Sequence, residues 1–281
     1  MKITIAISTY NRKNILKDVV KSLELVQKIE QCNIRVYDDC SNEFSINDLK
    51  EIFSFSKEII VRERNMGADI NMYQMYKDFL NTDDDIFIQA DSDLIFDKDL
   101  INFVIESINK TDGIMSLYNS KKHKKIQAIG EFVIKKDLGG AGTVFKREIL
   151  QEIIREVPCN NCYDWAWSNF LVKKGIKLYC SKRSYFQHIG FYGQNCNGIN
   201  FDYGLNFKDL SETNQLILNK VYKKYFQNMT EQKDLKIVLR YIIKIIKNSM
   251  INCIEKIFGV NVVLYFFNIK GKMKRKEWLC K

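Results

Sequence analysis

The period of the apolar positions switches back and forth along the first third of the chain. The opening run KITIAIS, residues 2–8, alternates β-branched with small residues over a length too short for a helix, and it predicts a buried strand. Over residues 14–29 the apolar side chains Ile15, Leu16, Val19, Val20, Leu23, Val26 and Ile29 recur at steps of three and four, the pattern of a helix with one buried face. The exchange continues with strands expected at 33–38, 58–62 and 85–90 and helices at 45–53 and 68–80. Strands separated by helical stretches of roughly 10 to 15 residues imply an α/β chain with a doubly wound, mostly parallel, Rossmann-like sheet, whose ligands bind at the carboxyl ends of the strands. Polar residues gather where that geometry puts a site: Ser8 to Arg12, Asp38 to Ser41, Asn65 to Gly67 and Asp91 to Asp93.

After the fourth strand the alternation loosens. A helix at 98–109, a strand at 113–118, two extended pieces within 124–135, a helix at 146–156 and a strand at 182–187 are expected. The glycines of LGGAGT, residues 138–143, expose backbone, either to a ligand or simply to make a tight turn. Beyond Asn206 the pattern is helical. Lys236, Arg240, Lys244 and Lys247 take one side there and Ile237, Val238, Tyr241, Ile242, Ile245 and Ile246 the other, a basic amphipathic helix over about 234–258. The last apolar run, 257–269, holds about 13 residues against the roughly 20 that cross a bilayer.

With 46% hydrophobic and 12% aromatic residues and a single proline, Pro158, the 281 residues read as compact and ordered rather than linker-rich. The formal charge of +10 is concentrated at the end: residues 205–281 carry 16 Lys or Arg against 6 Asp or Glu, and the remainder carries 28 of each. A neutral body with a basic end predicts contact with an anionic surface, membrane lipid or nucleic acid. Met1 and Lys2 open a short apolar run that ends at Ser8 without the features of a secretory leader, so the eight cysteines are expected to be reduced thiols. Cys159 and Cys162 have zinc or redox spacing, but no second CxxC completes a site, and ordinary thiols are the simpler reading.

The sharpest chemical signal is the pair Asp91 and Asp93 in IFIQADSDLIF. Two carboxylates at i and i+2, directly after a hydrophobic strand, can both offer oxygens to a hard divalent cation whose remaining ligands are phosphate oxygens. The alternative is a solvated turn in which Ser92 and Asp93 cap a following helix. His188, in YFQHIGFYGQN, is one of two histidines; a neutral imidazole there either completes a metal shell or is simply buried and hydrogen bonded. Gly190, Gly193, Asn195, Asn197 and Gly198 read as a loop able to close over a ligand. The sequence has neither a GxxxxGK[ST] phosphate loop nor a GxSxG elbow.

STYNR at 8–12, VYDDCS at 36–41, RNMG at 64–67, ADSD at 90–93 and YDW at 163–165 stand in an order and spacing that resemble family-2 glycosyltransferases, over about residues 1–195. The resemblance implies a GT-A fold in 1–205, with a nucleotide-binding half over about 1–95 and an acceptor half over about 96–205, followed by a basic helical region at 206–281. It implies that Thr9, Tyr10 and Asp39 contact the nucleoside, Asp39 accepting from a uracil imide nitrogen. Asn65 and Gly67 would form the turn beside the nucleotide, Asp91 would lie near ribose, and Asp93, joined by His188, would bind Mn2+ or Mg2+. Asp164 matches the family's general base at the start of a helix flanking the acceptor site. Tyr163 departs from the commoner pattern, which has a Glu there. Two plainer readings stand beside these: Tyr10 as a packing aromatic, and Asp164 as the cap of a helix beginning at Trp165.

The function so implied is metal-dependent inverting transfer of a sugar from a nucleotide-sugar, UDP-linked, to a cell-surface glycan or a lipid-linked or protein-linked acceptor. It would take place on the cytoplasmic side, with the basic end docked on an anionic membrane surface. The competing reading is a non-catalytic sugar-nucleotide-binding or membrane-docked partner subunit, and the Ile-rich face of the tail has the alternative of packing on the body or on a second copy in a homo-oligomer. Nucleic acid is not an expected partner, because no sheet face interleaves basic with aromatic residues.

Overall fold

In the computed structural model, which describes residues 1–193, 196–197, 202–208, 211–231, 246 and 250, the first part of the chain follows the changes of period closely. Strands β1 (Ile3–Thr9), β2 (Cys32–Asp38), β3 (Glu58–Val61) and β4 (Ile86–Asp91) alternate with helices α1 (Lys13–Leu23), α2 (Ile46–Ile52) and α3 (Ala68–Leu80). All neighbours in the order β3-β2-β1-β4 are parallel. The inner strands of such a sheet are buried on both faces, whereas the edge strand β3 is partly exposed. Ile3, Ile5 and Ile7 of β1 therefore pack in one cluster with Leu16, Val19 and Leu23 of α1, while Ala6 faces Met72, Met75 and Phe79 of α3 in the other. A capping box starts α2: Asp48 N–H donates to Ser45 Oγ at 3.2 Å, and Ser45 N–H to Asp48 Oδ2 at 2.7 Å.

The helix expected over 14–29 stops at Leu23. Val26 is nevertheless buried, in a turn that leads to Lys28 at φ 64°, so the apolar spacing outlasts the helix.

The second part brings β5 (Leu94–Phe96), α4 (Leu100–Ser107), β6 (Ile114–Ser116), β7 (Lys125–Ile129), β8 (Phe132–Lys135) and β9 (Thr143–Lys146). Next come α5 (Arg147–Glu156), α6 (Tyr163–Lys173), β10 (Tyr179–Ser181), β11 (Phe186–His188), the short β12 (Tyr192–Gly193) and β13 (Cys196–Asn197), and α7 (Glu212–Glu231). The main sheet continues from β4 as β9-β6-β10-β8-β7, with β9 and β8 running against all the others. It is a mixed, mostly parallel sheet, and β9 joins its two parts. The two extended pieces within 124–135 are the β7-β8 hairpin, and the strand expected at 182–187 is replaced by β10 and β11 on either side of a bend.

A separate ribbon pairs β5 antiparallel with β11 and sets His188 opposite Leu94. Helix α7 adds Ile217 and Val221 to the core shared with α1, and Lys220 Nζ lies 2.8 Å from Asp18 Oδ2. Cys32, Cys40, Cys159, Cys162 and Cys180 are free thiols. Among the described residues no helix is long and apolar enough to cross a membrane. The amphipathic helix expected over about 234–258, apart from residues 246 and 250, lies outside the described residues, as do the basic cluster beyond it and Asn195 and Gly198.

Candidate active site

Parallel register assembles the site. Thr9 pairs with Asp38 and Ser8 with Asp91, so three of the polar clusters meet at the carboxyl ends of β1, β2 and β4. Asn11 and Arg12 both take left-handed backbone, φ 58° and 63°, which costs non-glycine residues energy and is held here by neighbours. Asn11 N–H donates to Ser41 Oγ at 2.7 Å, Asn11 Oδ1 accepts from Asn42 N–H at 2.9 Å, and Arg12 N–H donates to Glu43 Oε2 at 2.7 Å. The turn delivers the Arg12 guanidinium to Asp93, Nη1 to Oδ2 at 2.6 Å.

Asp38 binds the Ser41 N–H at 2.9 Å and the Ser41 hydroxyl. Asp39 is buried, and its two oxygens accept the N–H groups of Met66 and Gly67 at 2.8 Å each. Asn65 Nδ2 donates to the Asp39 carbonyl at 3.3 Å, and Gly67 caps α3 at φ 83°. Burial raises the Asp39 carboxyl above its ordinary value in spite of the two amides. Asp39 thus shapes the Asn65–Gly67 turn around itself while each oxygen keeps a second lone pair. The Thr9 hydroxyl is buried with no partner among the described residues, and Tyr10 is half-buried.

Asp91 Oδ1 accepts from the Ser8 hydroxyl at 3.0 Å. Burial and then the charge of Asp93 raise Asp91; at Asp93 burial acts the same way, but the charges of His188 and Arg12 outweigh it and hold the carboxyl below its usual range. The chain after Asp93 enters β5 instead of a capped helix, and the β5-β11 register brings His188 Nε2 to 3.3 Å from Asp93 Oδ1. His188 Nδ1 is buried with no partner among the described residues. A Cβ on Gly190 would stand 2.1 Å from Asp93 Oδ2, so a larger residue there would push into the carboxylate.

The donor set fits a hard divalent cation. Two ligand atoms each about 2.1 Å from one ion, at angles of roughly 90° to 110°, are about 3.0 to 3.4 Å apart, which spans the Asp93–His188 separation. Among the described residues no group of three or more His, Cys, Asp or Glu side chains is arranged to hold an ion by itself. Mg2+ and Mn2+ suit such a sparse site, because they accept one or two protein ligands and complete their shells with water and phosphate oxygens.

Asp164 lies in the first turn of α6. The turn is capped from outside: Asp69 of α3 accepts from Cys162 N–H at 3.1 Å and Tyr163 N–H at 2.9 Å. Asp164 Oδ1 accepts the Trp165 N–H at 2.9 Å. Burial, then the negative charge of Asp69, push the Asp164 carboxyl up to about 6, with His123 pulling the other way. His123 Nδ1 pairs with Asp137. A Cβ on Gly139 would come 3.0 Å from His123 Nε2 and 3.9 Å from Asp164 Oδ2; one on Gly140 would meet Gln89 Nε2 at 2.5 Å. The glycines of the 138–143 loop thus admit neighbouring side chains of the chain itself.

A buried tyrosine links the two groups of carboxylates. Tyr76 donates to Gln89 Oε1 at 2.8 Å, and the charges of both Asp164 and Asp91 add to the burial that raises its hydroxyl. Sequence reasoning assigned no role to Arg12, Asp69 or His123. Arg12 stood inside the STYNR motif; Asp69 and His123 carried no local signal, since each matters through a partner distant in sequence.

Residues 4–127 match the family described as Glycosyl transferase family 2. Among solved structures the chain is similar to S. aureus TarS 1-349, with TM-score 0.50 and 14% identity over 91% of this chain and 80% of that one. It is also similar to the mannosyltransferase PcManGT from Pyrobaculum calidifontis in complex with GDP-Man and Mn2+, with TM-score 0.51 and 9% identity over 95% and 86%. A third is GalNAc-T7 with UDP, GalNAc and Mn2+, TM-score 0.53 and 11% identity over 64% and 42%. No curated protein matches the chain. At these identities the likeness to solved structures is one of fold, and that fold is GT-A.

Proposed function

We propose that this chain, which carries a glycosyl transferase family 2 domain on a GT-A fold, moves a sugar from a UDP-sugar to an acceptor hydroxyl with inversion at the anomeric carbon. The observation that supports the reading is the cation-paired carboxylate Asp93, with Arg12 and His188, at the end of β4, and a second carboxyl, Asp164, beside the Gly139–Gly140 loop that packs on Gln89 of the same strand. Two proteins of similar fold crystallised with GDP-Man or UDP, each with Mn2+, support a nucleotide-sugar donor and a divalent cation.

Asp93 Oδ1 and His188 Nε2 would hold the ion, which when bound neutralises the charge of the leaving diphosphate. Arg12 adds a fixed positive charge beside the same carboxylate. Asp39, Thr9, Tyr10 and the Asn65–Gly67 turn would bind the nucleoside, and Asp91 would lie near ribose. Asp164 takes the proton of the attacking hydroxyl. With a value of about 6 it is mostly ionised at neutral pH yet holds a proton better than an ordinary aspartate, which suits a general base. Docking of the basic segment beyond residue 231 on an anionic membrane belongs to the same proposal.

The test is nucleotide release from UDP-, GDP-, CDP- and dTDP-sugars, each with and without Mn2+. Slow, metal-dependent release from a UDP-sugar is the result expected. Binding of UDP-sugar without turnover would instead favour a non-catalytic subunit, and turnover of a different nucleotide-sugar would overturn the base assignment.

A further inference from the structure

Beyond His123 the Asp164 side opens into a cavity of about 650 Å3 whose lining is basic. Lys121, Lys122, Lys124, Lys125, Lys135 and Lys182 reach it from separate segments: the loop after β6, the start of β7, the end of β8 and the turn after β10. Nearby acids neutralise little of this charge. Asp202 pairs with Lys122 at 3.0 Å and accepts the Ser120 hydroxyl at 2.6 Å; Asp137 is engaged by His123, and Glu131 by Lys110 at 2.9 Å. Lys135 is buried, and its ammonium donates to the carbonyls of Ser120 and His123 at 3.0 Å each, so it props the loop that carries the others.

Among the described residues, Lys124, Lys125 and Lys182 have no ion pair, and Lys121 stands over the Tyr203 ring at 5.7 Å. Like charges gathered from the 121–125 run, Lys135 and Lys182 repel one another, and a concave setting concentrates their field on whatever enters. His123 lines the same cavity, and its Nε2 and the Asp164 carboxylate both lie against Gly139. The basic surface therefore runs up to the proposed base.

We propose that this cavity binds the acceptor and that the acceptor is a glycan bearing anionic groups, phosphodiester or carboxylate, close to the hydroxyl that receives the sugar. The inference rests on the transferase reading and adds the substrate class. Lysine ammonium groups meet either anion through charge-assisted hydrogen bonds. Single-stranded nucleic acid is the less suited polyanion, because the Tyr203 ring beside the cavity lies under Lys121 and the described lining residues add no row of rings on which successive bases would stack.

The experiment uses the full chain and four probes of similar length: an oligo(glycerol phosphate), an oligogalacturonate, a neutral malto-oligosaccharide and a single-stranded RNA. Binding is followed by calorimetry across rising NaCl. The variant Lys124→Gln/Lys125→Gln/Lys182→Gln removes three exposed charges of the cavity; Lys17→Gln/Lys50→Gln/Lys57→Gln removes the same charge elsewhere on the surface. One or both anionic glycan probes should bind more tightly than the neutral one, with the preference between them naming the anionic group. Their affinity should fall about tenfold or more in the cavity variant, hold in the surface variant, and weaken as salt screens the charges. Should the triple variant fail to fold, the milder Lys124→Gln/Lys182→Gln, compared with Lys17→Gln/Lys57→Gln, carries the same prediction. Equal losses in both triple variants, binding indifferent to salt, no binding of either anionic glycan, or tightest binding of the RNA would each overturn it. Donor hydrolysis by the unaltered chain, measured in parallel, separates failure of this inference from failure of the transferase reading.

Discussion

Around the carboxyl ends of β1, β2 and β4 the Asp93 carboxyl is held low by the charges of His188 and Arg12, whereas at the start of α6 the Asp164 carboxyl, with one backbone amide and Asp69 for a neighbour, is pushed up. Asp38 holds Ser41, Asp39 holds two backbone amides, Asp91 holds Ser8, and Asp93 holds Arg12. Asp164, by contrast, is half-buried within reach of the charges of Asp69 and Asp137. At Asp93 the cationic partners outweigh burial and keep the carboxyl ionised; at Asp164, as at Asp91, burial beside like charge leaves it disposed to take a proton. Placement of a charged donor needs the first condition and proton removal the second, so the difference between the two regions reads as a division of labour.

The largest expected effect breaks the proton-accepting side. Asp164→Asn should lower transfer by about 10² to 10⁴-fold, the usual worth of a general base, with nucleotide affinity unchanged. In the unaltered protein the rate should rise as pH passes through about 6, and that limb should vanish in the variant. Stability should move the other way. A carboxyl raised from 3.8 to about 6 favours the folded state fully only below pH 3.8, and this contribution is lost as pH climbs through 6. A tenfold change in proton affinity is worth about 1.4 kcal/mol, so on the order of 2 to 3 kcal/mol is at stake at neutral pH. Thermal melts at pH 8 should therefore find Asp164→Asn at least as stable as its parent.

Next comes the paired side. Asp93→Ala removes one half of the proposed two-donor cation site together with the Arg12–Asp93 ion pair, so donor hydrolysis should fall by about 10²-fold or more. Manganese-dependent protection of the fold by UDP should disappear with it. Asp39→Asn should act more mildly and on binding: the Michaelis constant for donor rises by roughly tenfold, the scale of one hydrogen bond to a charged group, with little change in turnover number. The smallest effect belongs outside both regions. Lys220 and Asp18 form an exposed pair at 2.8 Å, and Lys220→Ala should cost less than about 1 kcal/mol in denaturant melts.

The parallel end of the sheet was legible because its signals are local. Helix α3 spans the expected residues, and each buried strand is bounded by polar residues that remain neighbours in the fold. Among the short elements β5, β9 and β10 escaped: three or four residues show no period of their own, and these exist through pairing with distant segments. The same limit governed the site. Asp91 and Asp93 announced themselves in one motif, but the contact of Asp93 with His188 depends on the β5-β11 register, and the setting of Asp164 depends on Asp69 and His123 from elsewhere in the chain.

Thermal melting of the full chain across UDP concentration, with and without Mn2+, tests the division of labour most directly when run on the parent, Asp93→Ala and Asp164→Asn together. Ligand that binds only the folded state raises the melting temperature in step with its affinity. Protection by UDP that requires Mn2+ in the parent, is lost in Asp93→Ala and is intact in Asp164→Asn, while transfer is lost in both, is the result expected. Equal protection of all three proteins, or protection indifferent to metal, would contradict the assignment of the two sides.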